Sequence, residues 1–441
     1  MWGGGLMTTA VLIEEGVAAK PTKIRWTIFV LLLVMLAVNY VDRTSVAVAM
    51  PLIAKEFNIE PAIQGILLSS FYWTYALMQV PGGILVDRFG ARKVIAISAI
   101  AWGAFQGVAA ACTTWLTLLL MRVGLGVVEA PMSPAGGKLV GIWMTRSERA
   151  RGATLLDSGA PLGAALGGAI ISGLIYWLDS WRLAFIVAGA GTAILGVFAW
   201  WYIRDKAASH PLINEAEVRY IEDAHAKEDA ATGDVRSISV AEFLSYKSVW
   251  GVFFGYMSMQ ALFAGLLTWM PVYLSVVYGF DIKQMGGAVF SMFFVGFIGE
   301  LIGGWVVDKW LATGASHSKV FKTVFGCSSA LATAAIFIVA QVRDPIAVVV
   351  MLSVTLFFLR WCGVYWVLPS LLGTRARAGT IGGFMNFGGN IAGIGIPIVV
   401  GLIVQYTGSY YYALMLFALT GVSLFLCSVF VIDYRQRIAA D

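Results

Sequence analysis

Runs of about twenty residues with almost no charge recur along nearly the whole of this chain. The hydrocarbon core of a bilayer is about 30 Å thick, and a helix needs roughly 20 residues to cross it. Backbone groups find no water there, so such runs must fold as helices or a closed barrel. The runs are continuous rather than alternating, which selects helices. Twelve can be counted, near 26–50, 62–86, 94–113, 115–137, 151–175, 181–203, 249–277, 284–307, 320–341, 345–370, 380–404 and 409–432. Only 12% of residues are charged, about half the share of a soluble domain. The expectation is an all-α polytopic membrane protein with twelve transmembrane helices.

The net charge of +5 is not a nucleic-acid signal, because its placement explains it. With the N-terminus on the cytoplasmic side, 23 of the 30 Lys and Arg fall in cytoplasmic segments. Lys55, Arg182, Lys283 and Arg343 fall outside, and Arg43, Arg122 and Arg360 remain within spans. That bias puts both termini in the cytoplasm of a multi-pass protein of the cell's inner membrane. The first 20 residues lack a compact apolar core with a small-residue cleavage site, so no removable signal peptide is expected.

The chain reads as a duplication. GGILVDR at 82–88 returns as GGWVVDK at 303–309, and Arg122…Pro131 returns as Arg360…Pro369. DSGAPLG at 157–163 resembles NFGGNIA at 386–392. The expected organisation is a tail (1–24), a six-helix bundle (25–203), a polar linker (204–247) with a surface helix near 214–229, a second bundle (248–432) and a tail (433–441).

Charges at membrane depth are costly and usually face a cavity or each other. Arg122 and Glu129, seven residues apart in MRVGLGVVEAP, share one helix face. Gly124 and Gly126 between them leave room for another backbone or a ligand. Asp42 and Arg43 are adjacent, about 100° apart around their helix, and need different partners. Asp42 and Glu129 are candidate proton carriers, since a carboxylate that pairs and unpairs with arginine can load and release a proton. Arg43 and Arg122 are candidate anion ligands. A structural ion pair is the alternative for all four. Arg360 reads either as a cavity-facing cation or as a partner of Glu300, and Asp157 as a packing or gating residue. Tyr40, Tyr75, Trp366, Asn386 and Asn390 are candidates for lining a substrate cavity. Asp87, at the membrane boundary with Arg88 and Arg92 beyond it, is a candidate gate, with Asp308 as its counterpart in the second half. His210, His225 and His317 fall in loops, and Cys112, Cys327, Cys362 and Cys427 show no metal spacing or disulfide framework. No catalytic residues, metal or cofactor are expected.

Gly83, Asp87, Arg88, Gly90, Arg92 and Lys93 match the G-x-L-x-D-R-x-G-x-R-K loop of the major facilitator superfamily. NYVDRTSVAVAMPLIAKEF, SSFYWTYALMQVPGGILVDRFGARK and RVGLGVVEAPMSPAGGKLVGIWM resemble its anion:cation symporter family, and GGFMNFGGNIAGIGIPIVVG is similar to that family's eleventh span. The resemblance implies two pseudo-symmetric six-helix bundles in the major facilitator fold and proton-coupled uptake of an organic carboxylate. By it, Asp42 and Glu129 stand at the protonatable positions, Arg43 and Arg122 at the paired arginines, and Tyr40, Tyr75, Trp366 and Asn390 at the substrate site. Two departures shift the expected substrate from a sugar acid towards a dicarboxylate or an aromatic acid. DSGA puts Asp157 and Ala160 where sugar-acid members carry an amide-rich segment, and Arg360 adds a cation. The expected partners are a small organic anion, protons and the bilayer, with the chain as a monomer. The alternative is a metabolite or drug exporter of the same fold, working as a proton antiporter.

Overall fold

In a computed structural model of the protein, residues 20–145, 148–230, 240–373 and 375–435 are described. Most of the expected N-terminal tail, the end of the C-terminal tail from residue 436, Arg146, Arg236 and the side chains of Arg375 and Arg377 lie outside what is described. The first bundle holds α1 (Ile24–Phe57), α2 (Pro61–Phe89), α3 (Ala91–Val108), α4 (Trp115–Glu129), α5 (Met132–Trp143), α6 (Arg149–Asp157), α7 (Gly159–Leu178) and α8 (Trp181–Tyr202). The linker carries α9 (Glu215–Ala230) and α10 (Val240–Ser245). The second bundle holds α11 (Lys247–Tyr278), α12 (Ile282–Ala312), α13 (His317–Val339), α14 (Pro345–Trp361), α15 (Leu368–Leu372), α16 (Arg375–Thr407) and α17 (Tyr411–Leu426).

These helices make twelve crossings. The fourth is α4 with α5, interrupted at Ala130 and Pro131, where proline brings no N–H. The fifth is α6 with α7, joined at Ser158, and the tenth is α14 with α15, joined by a tighter turn over Cys362–Val367. Among the described residues, eleven crossings are long and apolar enough to span a bilayer on composition alone. The exception is α2. Its 29 residues reach about 43 Å, but it carries Gln64, Ser69, Ser70, Tyr72, Tyr75 and Gln79. It packs between α4 and α16, so its polar positions face protein.

The repeat is visible in packing. Gly82 lets α2 approach Pro131, whose Cα would lie 2.9 Å from an added Cβ; Gly303 lets α12 approach Trp361 of α14, at 2.7 Å. The bundles meet along α2 with α16 and along α7 with α12. Gln405 donates to Glu60 at 2.9 Å and accepts from the Ala62 amide at 3.0 Å. The described ends of the chain lie with the linker at the other end of the molecule. Glu217 of α9 accepts from the Ile24 amide at 3.1 Å and from Arg25 at 2.6 Å, and the Asp433 amide donates to Ser248 at 3.1 Å.

Candidate functional site

Asp42 and Arg43 leave α1 in different directions. Asp42 is fully buried against α3 and α8, where Trp102 Nε1 donates to Oδ2 at 2.8 Å and Thr192 Oγ1 at 3.2 Å. Arg43 turns to α2 and α4. Its guanidinium carbon lies 4.6 Å from the Tyr40 ring centre, 4.6 Å from Phe71 and 4.5 Å from Tyr75. Desolvated cation–π contacts of this kind are worth about 2 kcal/mol each, so the aromatic cage holds the cation without consuming its N–H groups. Arg43 Nε stands 3.5 Å from Glu129 Oε1, too far and misaligned for a good hydrogen bond.

Arg122 projects from α4 over Phe71 as well, 5.3 Å from the ring centre. It is 4% exposed, yet Nε and Nη1 complete no hydrogen bond. Neither do both oxygens of Glu129, both polar atoms of the Asn39 side chain, Asp42 Oδ1 or Arg43 Nε. A buried polar atom left without a partner costs about 1–3 kcal/mol. Eight such atoms, all on α1 and α4, would be an expensive core; Arg43 and Arg122 share the Phe71 ring, and Glu129 stands beside Arg43. Gly126 brings the elements this close: a Cβ there would strike the Phe71 carbonyl and Thr74 Oγ1 of α2. Gly124 meets the Phe105 ring. The room beside α4 is therefore filled by protein.

Tyr75 is buried and bonded to Ser133 at 2.9 Å, and Tyr40 packs edge-on to Phe263 of α11 with ring centres 6.3 Å apart. The same Phe263 lies under Arg360, 5.1 Å from its guanidinium carbon. The arginines of the two bundles thus face each other across Tyr40 and Phe263. Arg360 is already engaged, with Nε and Nη2 donating to Glu300 Oε2 at 3.2 and 2.7 Å and Nη2 3.7 Å from Asp157 Oδ2. Trp366 is 41% exposed and packs edge-on to Tyr256. Asn390 donates to the Asn386 carbonyl at 3.1 Å, and Gly393, one turn on, abuts Tyr72 of α2. These side chains come from α11, the Cys362–Val367 turn and α16.

The expected gate residues sit at the linker end. Asp87 pairs with Lys138 of α5 at 3.1 Å and stays largely exposed. Arg88 lies over Phe89, and Arg92 donates through Nε to the Trp200 carbonyl at 2.8 Å. Gly90 has φ +87°, and an added Cβ would lie 2.6 Å from Asp205 Oδ2, so the motif's glycine is required on both counts. Asp308 is exposed.

Trp102, Thr192, Phe71 and Tyr72 were not marked by the sequence. Trp102 and Gln106 are one turn apart on α3, and Gln106 donates to Ser45 at 2.8 Å. That polar face was the available signal. Among the described residues no cluster of His, Cys, Asp and Glu could hold a metal.

Comparison with known proteins places this arrangement. The chain is 30% identical over 403 residues to a D-galactonate transporter of Escherichia coli O6:H1 (strain CFT073), covering 89% of this chain and 92% of that one. It is 29% identical over 440 residues to a probable galactarate/D-glucarate transporter, GudP, of Bacillus subtilis (strain 168), covering 96% and 94%. A probable sulfoacetate transporter, SauU, of Cupriavidus necator is 30% identical over 434 residues, covering 95% and 97%. In fold, the chain is similar to a bacterial homolog of the human lysosomal transporter Spinster, solved in an inward-facing and unoccupied conformation. The TM-score is 0.70 at 17% identity, over 93% of this chain and 97% of that one. The profile of the Major Facilitator Superfamily matches residues 32–397. The chain belongs to the major facilitator superfamily of membrane transporters.

Proposed function

We propose that this transporter carries an organic acid into the cell together with protons, by alternating access of a site between its two bundles. The observation that carries the reading is Arg122: buried, charged, and with two guanidinium nitrogens that no protein atom satisfies. A guanidinium grips a carboxylate through parallel hydrogen bonds. A substrate carboxylate lying against Arg122 would also reach Arg43, whose link to Glu129 is loose. Protonation of Glu129 releases Arg43 to the substrate. Loss of that proton returns Arg43 to Glu129 and expels the anion. Asp42, held by Trp102 and Thr192, is the second proton carrier in this reading. With the linker end as the cytoplasmic end, Asp87 and Lys138 belong to the gate that closes there. If protons outnumber substrate charges, the membrane potential adds about 2.3 kcal/mol per charge per 100 mV.

The sequence-based preference for a dicarboxylate or aromatic acid rested partly on Arg360 as a second cation for the substrate. Arg360 is engaged by Glu300 and Asp157, which removes that support in this conformation. The relatives are named a D-galactonate transporter, a probable galactarate/D-glucarate transporter and a probable sulfoacetate transporter, one monocarboxylate and two kinds of dianion. We take the substrate as an organic acid of which one anionic group is held at Arg43 and Arg122, with sugar monoacids and sugar diacids as the first to try.

Calorimetric titration of the purified protein with sugar acids, dicarboxylates and aromatic acids tests the reading. Arg122→Ala should weaken the binding acid at least about 30-fold, the cost of losing one partner of a buried charge pair. Unchanged affinity would refute Arg122 as the anion ligand. Substrate-driven alkalinisation outside inverted or right-side-out vesicles distinguishes symport from the export alternative, because antiport moves protons the opposite way.

A further inference from the structure

Asp157, Glu300 and Arg360 come from three different crossings and two different bundles. Asp157 ends α6, Glu300 lies in α12 and Arg360 lies in α14. Their meeting is fixed by helix register. Where α7 and α12 touch, a Cβ on Gly168 would lie 2.6 Å from Val289. Asp157 and Glu300 each lie eleven residues from that contact towards the linker end, about 16 Å along antiparallel helices. Both carboxyl groups reach the same nitrogen, Arg360 Nη2, at 2.7 and 3.7 Å. Beyond them the bundles part, since α12 packs along α7 but scarcely touches α6.

The repeat-related positions of the first bundle differ. Aligning GGILVDR on GGWVVDK puts Glu300 opposite Gln79, and the Arg-x8-Pro frames put Arg360 opposite Arg122. The equivalent arginine thus has an amide where Arg360 has a carboxylate. The other titratable groups around the cluster are Tyr40 from α1, Tyr256 from α11 and Cys362 beside Arg360, all ordinarily neutral at pH 7. Fully ionised, the cluster has two negative charges and one positive. Glu300 and Arg360 side chains are 7% and 5% exposed, whereas Asp157 keeps 36%. Two carboxyls this close, sharing one cation, favour holding one proton between them.

We propose that Asp157 and Glu300, oriented by Arg360, form an additional proton-binding site that bridges the two bundles. Asp157 keeps contact with water while the bundles are apart at the linker end, so the proton leaves on that side. Closing that end buries Asp157 beside Arg360, which offsets its charge, and the next proton is taken up only after the other end has opened, so each cycle moves one proton inward. The site therefore couples proton occupancy to the rocking of the bundles, separately from the anion site at Arg43 and Arg122. It rests on the reading of proton-coupled transport given above.

The test is the proton-to-substrate ratio, measured by reversal potential in proteoliposomes. Asp157→Asn should lower the ratio by about one proton while calorimetric substrate affinity in the same protein stays within about twofold of wild type. Glu300→Gln should do the same, and it serves alone if Asp157→Asn does not fold. A wild-type ratio in whichever variant folds overturns the second site. Wild-type protein that moves substrate with no proton at all sinks the proposed function instead, and the two failures are told apart by that control.

Discussion

At the scale of single residues, two repeat-related arginines have opposite fates. Arg360 is bonded to Glu300, and Arg122 keeps two buried nitrogens without partners. The sequence put Arg122 and Glu129 on one helix face, but it could not say that Glu129 would turn to Arg43 on α1. Spacing within a helix is legible; the partner across a helix interface is not. Phe71 and Tyr72 were illegible for a related reason, since an aromatic residue in an apolar run reads the same whether it meets lipid or an arginine. Trp102 is a sharper case. Its indole donates to Asp42, so Trp102→Phe should leave that oxygen with one donor fewer and lower stability by about 1–3 kcal/mol. A thermal-unfolding midpoint in detergent equal to wild type would show that the bond contributes nothing.

At the scale of elements, the helix breaks and glycines set what can touch. Proline at 131 was visible in the sequence, and so was the surface helix, expected near 214–229 and found at Glu215–Ala230. The role of Gly126 was not, because its neighbour is the α2 backbone. Gly126→Ala should lower the unfolding midpoint by the equivalent of about 1–3 kcal/mol of overpacking. Gly137→Ala, with nothing within 4 Å, should be neutral or slightly stabilising; equal losses at both sites would contradict the packing account. The linker has its own dependence on pH. His210 is buried beside Trp143 and Tyr202, and its Nδ1 accepts from the Leu212 amide at 3.3 Å. Burial first, and then the charge of Arg204, hold its pKa below the ordinary 6.5. A folded value below the unfolded one means that the stabilisation is present above about pH 6.5 and is lost as pH falls towards the folded value. Hydrogen exchange across 204–230, corrected for intrinsic rates, should therefore quicken at about pH 5.5 relative to pH 7.5, and His210→Asn should flatten that difference.

At the scale of the whole molecule, twelve crossings and the duplication were legible because apolar length and repeated motifs are properties of the chain itself. Even α2, whose composition falls short of a membrane span, was marked by the signature at its end. The bridge between bundles was not legible. The Arg360–Glu300 pair was one of the two readings of Arg360 and is present, but Asp157 is far away in sequence and only the antiparallel register of α7 and α12 brings it to them. The fold then gives each bundle a buried arginine at its Arg-x8-Pro position, one with nitrogens left unpaired and one held by Glu300 of its own bundle and Asp157 of the other. The central claim is that Glu129 exchanges a proton for its hold on Arg43 as the substrate binds and leaves. Accumulation of substrate against its gradient, driven by an imposed pH difference in proteoliposomes, tests this most directly. Glu129→Gln should abolish accumulation while counterflow exchange continues; accumulation at the wild-type level would contradict the account.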